Sequence, residues 1–388
     1  MSFFKDLSFS AVVAGFVTVL VGFSSSGILI FQAAQVLGAN PAQTSSWLWA
    51  LCMGMAATSI GLSLRYQTPI ITAWSTASAA MLISIASSLT MAEAIGAFIL
   101  SSVFISLAGF TGAFERVMAR VPMSIAAAML AGILLRFGIG AFTAINTQPL
   151  MVLAMLGVYL LLRQIQPRYA VLGALLVGVM IAQAQGLLHF RQLQFSMVHP
   201  TWVMPHFSIH SVIGVAVPLF LVTMASQNMA GAAAIKTFGY NAPISPIVGW
   251  TGIANLVFAP FGAFSINLAA ITAAICLGRE AHEDKRKRYV AAVFAGVFYF
   301  IMGLFATTMA SVFAAFPPEL VMALAGIALL GTIGNGLATA LHHEHEREAA
   351  LMTFLVTASG LTMWSIGSAF WGLVAGGVVV LLSRRKTD

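Results

Sequence analysis

The stretch Thr68-Pro69-Ile70-Ile71-Thr72-Ala73-Trp74-Ser75 is rich in β-branched residues and is followed by an Ala-rich run at 76–85. A second stretch, Ala259-Pro260-Phe261-Gly262-Ala263-Phe264-Ser265, is followed by a similar run at 266–275. Neither stretch looks like the start of a helix, whereas each run does look like a short helix. We predict an extended strand and then a half-helix in both places, with Ser75 or Thr76 and Ser265 as N-caps. The alternative is two ordinary helices with a proline in the first turn.

Both stretches lie in a chain whose composition requires a lipid bilayer. Of its 388 residues 60% are hydrophobic and 7% are charged, where soluble domains have roughly 25% charged residues. Because apolar runs recur along the whole chain, no soluble core could hold them. We predict an all-α polytopic membrane protein with fourteen transmembrane segments. Their approximate bounds are 9–37, 43–64, 69–87, 93–113, 122–138, 148–162, 169–186, 209–236, 244–258, 263–277, 289–314, 319–338, 349–363 and 364–382.

Basic residues are distributed unequally between the loops that these segments define. Sixteen of the 18 Lys and Arg residues lie on one face, Arg191 lies on the other, and Arg136 lies inside a segment. The sixteen are Lys5, Arg65, Arg116, Arg120, Arg163, Arg168, Lys236, Arg279, Lys285, Arg286, Lys287, Arg288, Arg347, Arg384, Arg385 and Lys386. The positive-inside rule makes that face cytoplasmic, together with both termini. The net charge of +7 therefore orients a membrane protein and does not indicate nucleic-acid binding.

Four sequence matches relate the two halves of the chain. In chain order they pair 37–41 with 238–243, Trp74-Ser75 with Phe264-Ser265, 130–133 with 324–327, and Gly173 and Gly178 with Gly372 and Gly377. Their offsets are 201, 190, 194 and 199 residues. We predict two repeats of seven segments each, at 1–187 and 209–388, joined by a periplasmic connection at 188–208. An odd number of segments inverts the second repeat, as in many secondary transporters.

The inverted repeats direct the N-termini of the two half-helices toward each other near the membrane midplane. Each N-terminus has free N–H groups and about half a positive charge, so the pair forms an anion site without a charged side chain. The N–H groups expected there belong to residues near Ser75, Thr76, Ser265 and Ile266. Further polar residues within segments indicate the same depth: Ser24, Ser25, Ser26, Gln227, Asn228 and Asn267. Alternatively, these side chains only bond one helix to another.

The cysteines and the charged side chains do not indicate a disulfide, a metal site or a carboxylate proton relay. Cys52 and Cys276 lie in apolar runs, so we expect neither a disulfide nor a metal site. Arg136 is the only basic residue inside a segment, where it either attracts an anion on its path or extends to the membrane interface. Because no Asp or Glu lies inside a segment, a carboxylate proton relay is not visible.

Four longer stretches resemble the BenE family of benzoate transporters, and the resemblance covers essentially the whole chain. They are 68–76, 130–138, 221–228 and 269–276. The resemblance implies a benzoate:proton symporter of a bacterial inner membrane, with the fold of the uracil transporter UraA, a proton as the coupling ion and no other cofactor. It also implies a core domain (9–113 and 209–314) that moves against a gate domain (122–186 and 319–382). The expected partners are an aromatic carboxylate and membrane lipid, and a homodimer is left open.

The sequence departs from nucleobase transporters of this fold. Those proteins use glutamates on segments eight and ten, where this chain has Gln227, Asn228 and Asn267. This difference suits a substrate that carries its own negative charge. Trp74 and Phe264 would form walls for an aromatic ring, or would simply pack in the protein interior.

Small residues occur at matching places in segments five and twelve. We expect Gly132 and Gly326 to line the surface on which core and gate slide. The leading hypothesis is thus a proton-coupled symporter of aromatic carboxylates. A passive anion channel or exchanger on the same fold is the alternative, since no carboxylate lies inside a segment. A membrane enzyme ranks third, because no Asp, His and Cys cluster lies at membrane depth.

Overall fold

A computed structural model describes residues 6–85, 89–118, 122–166, 170–188, 197–278, 281–308, 316–361, 363 and 368–384, except for some side chains within helices. This part of the chain is mostly helical and has two strands of three residues each. Local sequence starts several helices. A reciprocal capping box at Asn40 precedes the helix Pro41–Tyr66, and another at Thr90 precedes Met91–Phe110.

The helices begin and end within a few residues of most of the predicted apolar segments. The first half contains Phe9–Val36, Pro41–Tyr66, Thr76–Ile85, Met91–Phe110, Ala113–Met118, Met123–Thr143, the 3-10 turn Ala144–Asn146, Pro149–Ile165 and Ala170–Ala184. The second half begins with a continuous helical run made of Ile209–Ser211, the π-helical turn Val212–Ala216, Val217–Val222, the π-helical turn Thr223–Asn228 and Met229–Thr237. It continues with Ile244–Phe258, the 3-10 turn Ala259–Phe261, Ile271–Leu277, the 3-10 turn Lys285–Lys287, Tyr289–Leu304, Pro318–Ala340, the 3-10 turn Glu344–Glu346, Arg347–Ser359 and Ser368–Arg384. Within the described residues, five helices are long and apolar enough to cross a membrane.

Two strands, β1 (Thr72–Trp74) and β2 (Ile266–Leu268), form an antiparallel pair inside the helices. Ala73 lies opposite Asn267 at the centre of the pair. A short helix follows each strand, and we name these the first short helix (Thr76–Ile85) and the second short helix (Ile271–Leu277). The two halves of the chain therefore meet through backbone pairing deep in the protein.

Side chains of neighbouring helices satisfy the outer edges of this pair. Thr72 N donates to Ser59 Oγ (3.1 Å), and Ile266 N donates to Asn255 Oδ1 (2.8 Å). Asn255 Nδ2 also donates to Ile266 O (3.0 Å). Because unpaired backbone groups are costly in an apolar interior, these bonds explain how so short a sheet exists there.

The predicted register of the second broken segment is wrong. Ala259–Phe261 forms a helical turn that continues the preceding helix, and the predicted half-helix at 266–275 instead begins with β2. Ser265 therefore precedes a strand and is not the cap of a helix, which starts only at Ile271. The two strands are 194 residues apart, as are the matched stretches 130–133 and 324–327, so the aromatic-Ser match at 190 was misaligned. A run rich in Ala and Ile does not distinguish a strand from a helix.

The helices form two bundles. The first bundle contains the helices of 9–110 and 209–304, and its buried residues form one large cluster around the strands. The second bundle contains the helices of 123–184 and 318–384 and has smaller clusters of its own. The helix Met123–Thr143 of the second bundle packs against the first short helix and against the π-helical turn that follows Val222. The bundles thus meet beside the strand pair.

The segment 197–208, between the two halves of the chain, lies across one face of the first bundle, and we name it the strap. It contains no helix or strand, and the next helix begins after it, at Ile209. Four of its backbone N–H groups donate to the ends of first-bundle helices and turns: Val198 to Leu304 O (3.1 Å), Thr201 to Ser46 Oγ (3.0 Å), Val203 to Pro260 O (2.9 Å) and His206 to Ala92 O (2.9 Å). The strap is therefore part of the first bundle.

Candidate functional site

The first short helix begins with backbone donors at Thr76, which is half-buried, and Ala77, which is buried. Ser75 is buried, and its hydroxyl accepts from Ser78 N (3.0 Å), which is the bond expected of an N-cap. Ala79 N donates to Ser75 O (3.0 Å). The N–H groups of Thr76 and Ala77 have no partner among the described residues, and Thr76 is half-buried. Two donors at the positive end of a helix are thus left for an anion.

A chain of buried hydroxyl groups connects this helix to the second half of the protein. Thr223 Oγ1 lies 3.2 Å from Ser78 Oγ and 2.8 Å from Ser265 Oγ. All three residues are fully buried. They come from three different segments, so one hydroxyl at residue 223 fixes the mutual positions of all three.

Two asparagine amides extend the network along β2. The Asn267 amide is satisfied when its oxygen accepts from Ser265 Oγ (3.2 Å) and its nitrogen donates to Leu268 O (3.3 Å). Asn228 Oδ1 accepts from Leu268 N (3.0 Å). Asn228 Nδ2 lies 3.2 Å from Met224 Sδ, a weak acceptor, so this fully buried amide nitrogen has no strong acceptor among the described residues.

Gln227 lies beside Asn228 in the π-helical turn Thr223–Asn228. Its side chain is half-buried and makes no hydrogen bond to any residue that the structure describes. A π-helical turn changes the direction of side chains relative to an α-helix and is frequent at functional sites. The turn contacts the first short helix. The turn that holds these two amides thus contacts the short helix that begins with Thr76 and Ala77.

Trp74 joins β1 to the first segment. Its Nε1 donates to Ser26 Oγ (2.8 Å), and its ring packs edge-to-face on Phe23 with 4.8 Å between centroids. Ser26 is therefore brought to the strand pair, as predicted from its polarity. The side chains of Ser24 and Ser25 lie outside the described part of the structure.

Two predicted site residues are directed elsewhere. The ring of Phe264 packs against those of Trp47 (5.8 Å between centroids) and Phe98 (5.9 Å) in a buried aromatic cluster. The N–H of Ile266, predicted to be free for an anion, donates to Asn255. Both corrections follow from the register of β2, which places residues 264–266 before the second short helix and not at its first turn.

Arg136 binds the end of a helix in its own bundle. Its Nη2 donates to Ser359 O (3.2 Å), the last residue of the helix Arg347–Ser359. A positive charge is favourable at a helix C-terminus. This contact gives Arg136 a structural role.

Gly132 and Gly326 permit close contact between helices of the second bundle. A Cβ at Gly132 would lie 2.8 Å from Phe354 O, and one at Gly326 would clash with Phe137 O. Both neighbours are backbone atoms of the same bundle. The expectation that these glycines line the surface between the bundles is therefore wrong.

Three further residues order the site and were not predicted from the sequence: Ser59, Thr223 and Asn255. Each is a fully buried polar residue within an apolar segment. That is the same signal that pointed to Gln227 and Asn228. A search for every polar residue within an apolar segment would also have identified these three.

The comparison with known proteins gives one family and two similar relatives. The family model "BenE: Benzoate membrane transport protein" matches residues 5–382. Inner membrane protein YdcO of Escherichia coli (strain K12) is 51% identical over 375 residues, which cover 97% of this chain and 96% of that protein. A benzoate membrane transport protein of Acinetobacter baylyi is 41% identical over 372 residues, which cover 96% of this chain and 94% of that protein.

Solved structures share the fold at low identity. SLC26A9 has a TM-score of 0.66 at 14% identity, covering 98% of this chain and 67% of that chain. The transmembrane domain of the cyanobacterial bicarbonate transporter BicA has a TM-score of 0.62 at 13% identity, covering 97% of this chain and 98% of that chain. At this identity the likeness shows the fold alone, which is that of a helical polytopic membrane transporter.

Proposed function

Because the chain belongs to the family of benzoate membrane transport proteins, we propose that it carries benzoate or a similar aromatic carboxylate across the bacterial inner membrane. It is a multi-pass membrane protein and its relatives are transporters, so its function is transport and not catalysis. The observation that carries the proposal is the start of the first short helix, where the N–H groups of Thr76 and Ala77 have no partner among the described residues, in a helix that contacts the π-helical turn of Gln227 and Asn228.

The substrate carboxylate binds at the N-terminus of the first short helix. Thr76 and Ala77 donate backbone hydrogen bonds, and the amide nitrogens of Gln227 and Asn228 donate from the π-helical turn. A hydrogen bond to a charged group contributes about 1.5–3 kcal/mol, and the helix end about 0.3–2 kcal/mol. Desolvation of the polar groups and the loss of translational and rotational freedom of the substrate offset much of this sum. The affinity that remains is modest, as a carrier needs in order to release its substrate.

The aromatic ring lies between the bundles. Met129 and Ile133, on the second-bundle helix that faces the first short helix, are buried within the cluster of the first bundle. Burying an apolar ring against such side chains contributes roughly 25 cal/mol per Å² of area removed from water. The site thus combines a polar end for the carboxylate with an apolar wall for the ring.

Transport proceeds by alternating access, with the first bundle as the moving core and the second bundle as the gate. The chain crosses the membrane fourteen times as two inverted repeats of seven segments, with both termini in the cytoplasm and protons as the coupling ion. The likeness to SLC26A9 and BicA supports a shared transporter architecture. The charge asymmetry of the loops supports the orientation.

Uptake of radiolabelled benzoate into proteoliposomes tests the function. We expect uptake that accelerates when an inward proton gradient is imposed and that collapses with a protonophore. Uptake that follows only the benzoate gradient would favour the passive channel or exchanger. The absence of benzoate binding and uptake under every gradient would overturn the proposed substrate.

Competition by benzamide tests the anion site separately. Benzamide has the same ring but no charge, so it loses two charge-assisted hydrogen bonds worth about 3 kcal/mol together, or roughly 100-fold in affinity. If benzamide competed as well as benzoate, recognition would rest on polar side chains and not on the helix end.

A further inference from the structure

A basic turn lines a cavity far from the proposed substrate site. Lys285, Arg286 and Lys287 form a 3-10 turn just before the helix Tyr289–Leu304. Asp284 fixes the turn, because its Oδ1 accepts from Arg286 N (2.9 Å). The turn lines a cavity of about 610 Å³, together with Asp6, Gln67, Tyr240 and Asp284.

The positive charges of this cavity are only partly neutralised. Lys285 Nζ lies 4.6 Å from the centre of the Tyr240 ring, so an aromatic face holds the ammonium in place. Lys287 Nζ is 3.9 Å from Asp6 Oδ1, a long contact. The guanidinium of Arg286 is exposed and has no partner among the described residues. Burial raises the pKa of Tyr240, which keeps its phenol neutral.

Arg288 adds a buried charge beside the cavity. It is 7% exposed, and its guanidinium donates to Leu277 O (2.8 Å) and His282 O (2.6 Å). Within the described residues, no carboxylate lies within 4.0 Å of it. The cavity therefore presents the three cations of the turn against the carboxylates of Asp6 and Asp284, with the exposed Glu283 next in the chain, and attracts an anion.

Exposed apolar side chains lie within three residues, along the chain, of residues that line the cavity. Leu7 and Phe9 follow Asp6 in the chain and are 46% and 83% exposed, and Phe238 precedes the loop of Tyr240 and is 36% exposed. Ser10 Oγ donates to Ala281 O (3.0 Å), which holds the start of the first helix against the basic loop. A soluble anion would gain nothing from these apolar groups, whereas acyl chains would cover them.

We propose that this cavity binds the phosphate headgroup of an anionic phospholipid, with its acyl chains along Leu7, Phe9 and Phe238. Arg and Lys side chains recognise phosphate oxygens by charge-assisted hydrogen bonds. By the positive-inside rule the lipid comes from the cytoplasmic leaflet. The site is independent of the benzoate site and does not rest on the proposed function.

Lipid titration of the full-length protein in detergent, followed by native mass spectrometry, tests the site. We expect tighter binding of phosphatidylglycerol than of phosphatidylcholine. A basic residue near an anionic lipid surface contributes about fivefold. Arg286→Gln combined with Lys287→Gln should therefore weaken phosphatidylglycerol binding by about 25-fold and leave phosphatidylcholine unchanged.

The matched control removes the same charge elsewhere. Arg116→Gln combined with Arg163→Gln alters two exposed arginines outside the cavity. The affinity for phosphatidylglycerol should stay within about twofold of the wild type, which is less than the effect expected of one basic residue at the site. Equal losses in both double variants would overturn the site in favour of general charge attraction. Phe9→Ser should weaken lipid binding as well. Displacement of the lipid by millimolar inorganic phosphate, with no effect of Phe9→Ser, would overturn the lipid in favour of a soluble phosphate.

Discussion

A carboxylate placed at residue 76 probes the proposed anion site. In Thr76→Asp the new group stands at the first position of the first short helix, beside the N–H groups assigned to the substrate. An acidic residue there stabilises the helix itself by about 0.3–1 kcal/mol, so the fold is not threatened. Two negative charges about 5 Å apart repel by about 3 kcal/mol at an effective dielectric constant of about 20. Benzoate binding should therefore weaken by roughly 100-fold or more.

Equilibrium binding of radiolabelled benzoate to the purified variants measures this effect. Thr76→Asn is the matched control, since it has the same shape without the charge and should bind within about fivefold of the wild type. The melting temperature of Thr76→Asp should not fall below that of the control. If Thr76→Asp bound benzoate within tenfold of Thr76→Asn, the helix end would not hold the carboxylate, and Gln227 and Asn228 would have to do so alone.

Four further changes test the framework around the site. Thr223→Val should cost about 1–2 kcal/mol of stability and weaken benzoate binding about tenfold, with Thr223→Ser restoring both; wild-type affinity in the valine variant would show that the hydroxyl chain only packs. Asn255→Leu leaves the N–H and the carbonyl of Ile266 without their hydrogen bonds and should lower the free energy of unfolding by about 2–5 kcal/mol. A lower melting temperature in detergent would show this effect, and an unchanged one would contradict the role of Asn255 in stabilising β2. Gly326→Leu should fold poorly, whereas Gly334→Leu, with no atom within 4 Å, should not; equal melting would refute the close contact. A reporter fused to the C-terminus should work only if it is active in the cytoplasm, and periplasmic activity would end the fourteen-segment topology.

Features fixed by local chemistry could be predicted from the sequence. The strand β1 was predicted from Pro69 and the β-branched residues that follow it, and the N-cap was predicted from Ser75 just before the Ala-rich run. The second strand could not be predicted, because Ile266–Leu268 stands in a run without a local strand signal. It is a strand because β1 pairs with one edge and Asn255 and Asn228 bond its remaining backbone groups. Such tertiary bonds override local propensity.

The direction in which a side chain points was the second feature that the sequence did not predict. Trp74 and Phe264 looked equivalent in the aligned repeats, yet one contacts Ser26 and the other packs on Trp47. A register error of four residues turns a side chain to a different neighbour. The polarity of Asn267 was a safer guide, because a buried amide must find partners wherever it points.

The strap bears on the balance between the two states of a carrier. In a carrier built from two inverted repeats of identical sequence, the inward-facing and outward-facing forms would be equivalent by symmetry and would have equal free energies. The connection between the repeats occurs once in the chain, and its described part covers helix ends on one face of the first bundle. Its four backbone hydrogen bonds contribute about 1 kcal/mol each, whereas 1.4 kcal/mol already changes a population ratio tenfold. We therefore expect the resting orientation of the carrier to be set by the segment that joins its halves.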